Sequence, residues 1–276
     1  MFTQVKTSGL PVYLKDDENL LAFVAPLLYR SYGRKRTGEM NGLLYKMDGA
    51  NPDELYYDVY RDVRYAADEA LLERDQYKYD FTLIMPGQVN GECKKTSGHY
   101  HGYNPERTNT YPEVYEVLAG TALYVLQRAD NFEGRAEDLK VDDIIIVKVE
   151  AGQSIIIPPN YGHASLNGGD GVMLFSNLAY GPCKVLYDQV RHYGGMGYFA
   201  FREKGALSFR MNEKYKNVPM PALKFATVKE NPRLGIQFGL PVYRSYMDNP
   251  DAFHFLGHPD GYEEEIVSML NFVDSL

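Results

Sequence analysis

The chain has 276 residues and a mass of 31.4 kDa, and its 45% hydrophobic content supports a core in one large domain or two small ones. The formal net charge is −8, with acidic and basic residues interspersed, so the basic face that a nucleic-acid partner needs is missing. No apolar run approaches the ~20 residues of a membrane span, and the start MFTQVKTSGL lacks the charged-then-apolar pattern of an export signal. Two cysteines, Cys93 and Cys183, cannot make a disulfide framework, so a reducing cytoplasm is the simplest expected setting.

In chain order, residues 1 to 78 mix helical and extended signals. Leu20, Phe23, Val24, Leu27 and Leu28 recur at helical spacing, with Pro26 placed to kink or start that helix, and the stretch reads as an arm packed on the body of the protein. Asp80 to Met85 alternates as a strand does, and Pro86-Gly87 ends it as a turn. Tyr115 to Leu126, Ile144 to Val149, Ser154 to Ile157 and Val172 to Leu178 read as further strands, separated by Gly, Asn and Asp. Residues 79–205 are therefore expected to form a mainly β, antiparallel jelly-roll barrel. Residues 206–276 form an extension, loop-like through Pro219-Met220-Pro221. From Glu263 to Leu276, Ile266, Met269, Leu270, Val273 and Leu276 lie on one stripe behind acidic residues, which predicts a terminal amphipathic helix.

Two short stretches fit together as one metal site. The first is His99-Tyr100-His101 followed by Glu113 and Gly120; the second runs from Gly152 through Pro158 to His163 and Asn167. Alternate side chains of a strand share a face, so His99 and His101 can project into one cavity. Three His and one carboxylate suit a divalent transition metal with coordination positions left open for chemistry. The segment Gly102 to Pro112 between them has loop composition, and Asn160 stands where a tight turn wants a positive φ. His254 and His258 have no such spacing and read as surface or packing residues. The chain lacks Trp but has 24 Tyr, residues that suit both a half-buried sheet and a pocket for a polyhydroxylated ligand.

The paired motifs resemble those of the cupin superfamily, which implies a double-stranded β-helix barrel. Thr82-Leu83-Ile84-Met85-Pro86-Gly87, Thr96-Ser97-Gly98-His99-Tyr100-His101, Glu113-Val114-Tyr115 and Ile157-Pro158-Pro159 are similar to segments of the cupin-type glucose-6-phosphate isomerases of archaea and some bacteria. Arg36, Met40, Gly42 and the run Leu55 to Tyr60 extend the likeness upstream. The resemblance implies that His99, His101, Glu113 and His163 bind one divalent metal, Fe2+ before Mn2+, Zn2+, Ni2+ or Co2+. It also implies that Thr82, Thr96 and Gly98 hold a substrate phosphate, and that Tyr57, Tyr115, Tyr180 and Tyr193 line the pocket. Ser97 departs from the family pattern, which commonly has Lys there; Asn160 stands in place of a pocket Tyr that Tyr161, one position on, would replace. Glu113 is the expected base, with His192 a candidate for ring opening. The implied reaction is aldose–ketose isomerisation of a sugar phosphate, through an enediol or a hydride shift, in a cytoplasmic homodimer of glycolysis or gluconeogenesis. A dioxygenase, a sugar epimerase or a non-catalytic sugar-binding cupin are the competing readings, since a fold does not name a reaction.

Overall fold

A computed structural model describes residues 1–15 and 17–276. Two antiparallel-rich sheets dominate it. In the six-stranded sheet the order is Ser154–Ile157, Glu113–Ala119, Met173–Tyr180, Tyr77–Ile84, Leu55–Arg61, Ser31–Arg36, every neighbour antiparallel. In the five-stranded sheet Tyr161–Asn167, Thr121–Asp130 and Lys140–Glu150 pair antiparallel, then Lys224–Val228 joins in parallel and Leu270–Val273 closes the edge. This mainly β, two-sheet arrangement is the expected jelly-roll architecture.

The sequence of the Tyr77–Ile84 strand explains why the six-stranded sheet sits in the middle of the molecule. All of its residues except Lys78 are buried, as happens when a sheet is covered on both faces. Tyr79, Phe81 and Leu83 point away from the barrel into a core shared with Val114, Ile156, Leu174 and Leu178, capped by Tyr243, Tyr246, Phe253 and Leu256 of the C-terminal segment. The facing side of the sheet turns toward a second core, where Val117, Tyr124, Leu126, Ile145 and Phe175 fill the barrel. Tyr115 to Leu126 is not one strand but two, broken at Gly120. There φ is +78°, and a Cβ would lie 2.5 Å from the Val172 carbonyl oxygen, so only glycine fits.

Three elements near the chain ends differ from the sequence expectation. The helical spacing at Leu20–Leu28 does not produce a helix: Leu20–Phe23 is a strand paired with Val12–Lys15, and Leu27–Leu28 pairs with Arg64–Tyr65. The expected arm also supplies two full strands, Ser31–Arg36 and Leu55–Arg61, to the six-stranded sheet. At the other end the predicted terminal helix stops early. Glu263–Ser268 is helical, but Leu270–Val273 is a strand, because pairing with Lys224–Val228 satisfies its backbone while Leu270 remains in the core. A stripe of apolar residues at spacings of three and four does not by itself exclude a helix-to-strand switch.

Candidate active site

The register of the six-stranded sheet brings polar side chains into rows on its inner face. Glu113 stands opposite Ala179, which stands opposite Lys78; Tyr115 opposite Asn177, opposite Asp80; Phe175 opposite Thr82, opposite Val59. His99 and His163 exchange both backbone hydrogen bonds across the barrel, at 3.0 and 2.9 Å. His101, two residues on in the short strand Tyr100–His101, reaches the same point. The Asn160 turn before His163 has φ +70°, the left-handed geometry expected at that position.

Candidate donor atoms of His99, His101, Glu113 and His163 all lie within 4.8 Å of one another. His99 Nε2 is 3.1 Å from His101 Nε2, and Glu113 Oε2 is 3.4 Å from His101 Nε2 and 3.3 Å from His163 Nε2. His101 Nδ1 sits 2.7 Å from the Tyr111 carbonyl, which can only accept, so Nδ1 carries a proton and Nε2 is the nitrogen that faces the cluster. Tyr115 donates to Glu113 Oε2 at 3.0 Å, and Asn177 donates to Glu113 Oε1 at 2.7 Å.

Electrostatics draw positive charge to this point. Burial works against ionising Glu113, yet hydrogen bonds with His101 and His163 hold its carboxyl far below the usual range. Burial likewise opposes charge on His101, but Cys183 and Glu113 outweigh it and push that imidazole well up. Burial followed by the neighbouring His163 and His101 depresses His99; burial also depresses His163. Three imidazole nitrogens and one carboxylate, mutually close and nearly dry, form a donor set that one divalent transition-metal cation satisfies at once.

His99, His101 and Glu113 form one wall of a cavity of about 450 Å³, with His163 buried behind them. Tyr57, Thr82, Thr96, Gly98, Tyr115 and Tyr180 also line it, so the structure brings these sequence candidates together. Gly98 has φ +76°, and a Cβ there would press on Ala164 and Met196 at 3.2 Å. Thr96 Oγ1 accepts from the Ser165 amide at 3.0 Å, leaving its hydroxyl proton to donate elsewhere.

Three candidates lie elsewhere. His192 is exposed and outside the cavity lining, its ring against Tyr193. Tyr193 is buried, stacked on Tyr215 at 4.3 Å with its hydroxyl donating to the Ala136 carbonyl at 2.7 Å. Tyr161 donates to Asp143 at 2.8 Å and lies beneath Arg128, outside the cavity lining. The helix Asp188–His192 accounts for the place of His192. Tyr187 at its cap and Arg191 are four residues apart, share a face and line the cavity; His192 is one step further round. Lys35, Arg61 and Asn177 also line the cavity without having been singled out. For Asn177 the signal was present, since it falls in the inward phase of a strand whose other inward residues include Phe175.

Fold and cluster together define a cupin: a double-stranded β-helix with three His and one carboxylate gathered at one point. A family model described as "Glucose-6-phosphate isomerase (GPI)" matches residues 38–217, well over half of the chain, and the chain belongs to that family. It is 29% identical over 181 residues to glucose-6-phosphate isomerase of Thermococcus litoralis, covering 66% of this chain and 73% of that protein. The enzyme of the same name from Pyrococcus abyssi is 28% identical over 170 residues, 60% of this chain and 75% of that protein. That from Sinorhizobium medicae is 30% identical over 117 residues, 42% and 46% respectively. Among solved structures, vicilin from Corylus avellana aligns with a TM-score of 0.33 and 11% identity, over 52% of this chain and 34% of that one.

Proposed function

We propose that the chain interconverts glucose 6-phosphate and fructose 6-phosphate with the help of one divalent transition metal held by His99, His101, Glu113 and His163. The observation that carries the reading is the position of Glu113. Its carboxylate belongs to the donor cluster and also lines the cavity in which Thr82, Thr96 and Gly98 lie. Membership of the isomerase family supports the substrate.

In this reading Thr82, Thr96 and the Gly98 amide hold the phosphate, and Lys35 and Arg191 on the cavity lining supply positive field in place of the lysine that Ser97 replaces. Tyr57, Tyr115 and Tyr180 bind sugar hydroxyls and exclude water. A metal at the cluster would polarise the carbonyl and spread the negative charge that develops on O1 and O2. Glu113 takes the proton from C2 and returns it to C1, a one-base transfer across one face of a cis-enediol. Asn177 and Tyr115, each bonded to a different oxygen of Glu113, hold the carboxylate in position. The same bonds favour a second reading, because they occupy lone pairs a base would use: hydrogen moves directly from C2 to C1 as hydride, and Glu113 serves only as a ligand. Isomerisation in D2O separates the two, since solvent deuterium on the product carbon requires the proton route and unlabelled product favours hydride.

Iron as the native metal, a homodimer and a cytoplasmic place in glycolysis or gluconeogenesis belong to the same proposal and rest on the resemblance. The experiment is a coupled assay of fructose 6-phosphate conversion, before and after chelation and again with Fe2+, Mn2+, Zn2+, Ni2+ or Co2+ added. Loss and recovery are expected; full turnover by demonstrably metal-free protein would overturn metal dependence.

A further inference from the structure

The segment Gly102 to Pro112 between His101 and Glu113 is held by a residue far away in sequence. Asp260, on the turn before the Glu263–Ser268 helix, accepts from Thr108 Oγ1 at 2.6 Å, from Asn109 Nδ2 at 2.8 Å and from Asn104 Nδ2 at 3.2 Å. Asn104 in turn closes the loop on itself, its Oδ1 accepting from the Thr108 amide at 2.9 Å. The next residues connect the loop to the turn before His163. Asn160 Nδ2 donates to Asn109 Oδ1 at 2.9 Å, the Asn160 amide donates to Thr110 Oγ1 at 2.6 Å, and the Thr110 amide donates back to Asn160 Oδ1 at 3.2 Å. One residue beyond Thr110 is Tyr111, whose carbonyl fixes the tautomer of His101.

We propose that Asp260 is a positioning residue for the metal centre. By fastening the 102–112 loop and, through it, the Asn160 turn, it sets the Tyr111 carbonyl that orients His101 and the entry of the strand that carries His163. Three bonds from one carboxylate fix a loop that otherwise has loop composition throughout, and a carbonyl displaced by a fraction of an ångström no longer meets the imidazole in line. Asp260 lies outside residues 38–217, the region matched by the family model, so the C-terminal segment contributes to the site without touching it. This inference rests on the metal-centre reading above.

The test is titration of the full-length, metal-stripped protein with Co2+, followed by its visible absorption, with melting temperature and kcat measured on the same preparations. Asp260→Ala should weaken Co2+ binding about 10-fold, the low end of the range for loss of a direct partner of a metal ligand because Asp260 acts through the loop and Tyr111, and lower kcat while the melting temperature stays within a few degrees. Asp260→Asn, which keeps an acceptor, should recover most of the affinity. Glu264→Ala, which removes an exposed carboxylate of the same region, should change nothing. Wild-type Co2+ affinity and kcat in Asp260→Ala would overturn the proposal, as would equal weakening in Glu264→Ala. If Asp260→Ala does not fold, Thr108→Val removes the shortest of the three bonds and should weaken Co2+ binding severalfold; unchanged affinity there overturns it equally. His101→Ala keeps the two readings apart: if that variant binds Co2+ as tightly as wild type, the metal centre itself is misassigned, whatever Asp260 does.

Discussion

Glu113 and Glu116 lie three residues apart on one strand and point to opposite faces of the same sheet. On the inner face Glu113 meets two histidines, a tyrosine hydroxyl and an asparagine amide, and its carboxyl is held far below the usual range although burial alone would raise it. On the outer face Glu116 sits between Ser176 and the Val242 amide of the C-terminal segment, near Tyr79. Burial pushes its carboxyl up to about 8, with only the Val242 amide and Ser176 opposing that rise. Both residues are almost fully buried, so burial does not decide the charge; the partners do. The sheet separates a face built to hold charge from a face built to exclude water.

The comparison breaks first at Glu113. Glu113→Gln keeps the shape and one oxygen but removes the negative charge and the base, and turnover should fall by about 10²–10⁴-fold in the coupled assay while some metal is retained. Near-normal turnover would leave Glu113 at most a ligand. On the outer face the largest effect should be on stability alone. Phe81→Ala removes a fully buried ring and should cost about 3–5 kcal/mol in denaturant unfolding, with metal content per folded molecule unchanged.

Smaller effects sharpen the same contrast. Thr96→Val preserves volume at the proposed phosphate site but removes a donor to a dianion, and KM for fructose 6-phosphate should rise by the equivalent of about 1.5–3 kcal/mol; an unchanged KM would remove Thr96 from the cradle. Glu116 should be visible in the pH dependence of stability. Its folded-state pKa of about 8 lies above the ordinary 4.5, so the folded protein keeps a proton that the unfolded chain releases between those values. Stability is then fully present below about pH 4.5 for this group and declines as pH rises through 8. Glu116→Gln should flatten that decline, with no gain at pH 4 and a gain of up to about 4 kcal/mol at pH 8. An unaltered slope would mean that the carboxyl finds a counter-charge in solution.

The His99, His101, Glu113 and His163 cluster was legible in the sequence because strand alternation converts the spacing of His99 and His101 into a shared direction without knowledge of the fold. The alternation of Asp80–Met85 likewise carried over into a strand with two faces. The helical spacing at Leu20–Leu28 misled, because short apolar runs with Pro nearby fit a kinked helix and a pair of hairpin strands equally. The last strand was missed because Leu270 and Val273 also complete a helical stripe, and only the exposed edge of Lys224–Val228 decides otherwise. The structure turns Arg191, and not the expected His192, toward the cavity, because a one-residue offset on a helix turns a side chain by about 100° and no pattern in a five-residue helix fixes that phase. The Asp260 clamp was invisible for a plainer reason: it joins residues more than 150 positions apart through polar side chains that carry no periodicity.

We propose that His99, His101, Glu113 and His163 hold a metal on which isomerisation depends. The most direct measurement is elemental analysis of purified wild-type protein beside a His99→Ala, His101→Ala double variant, with circular dichroism to verify folding and the coupled assay on both. About one transition-metal ion per chain and turnover of fructose 6-phosphate are expected in the wild type, and neither in the folded double variant. Stoichiometric metal retained by the double variant, or undiminished turnover without it, would overturn the metal centre.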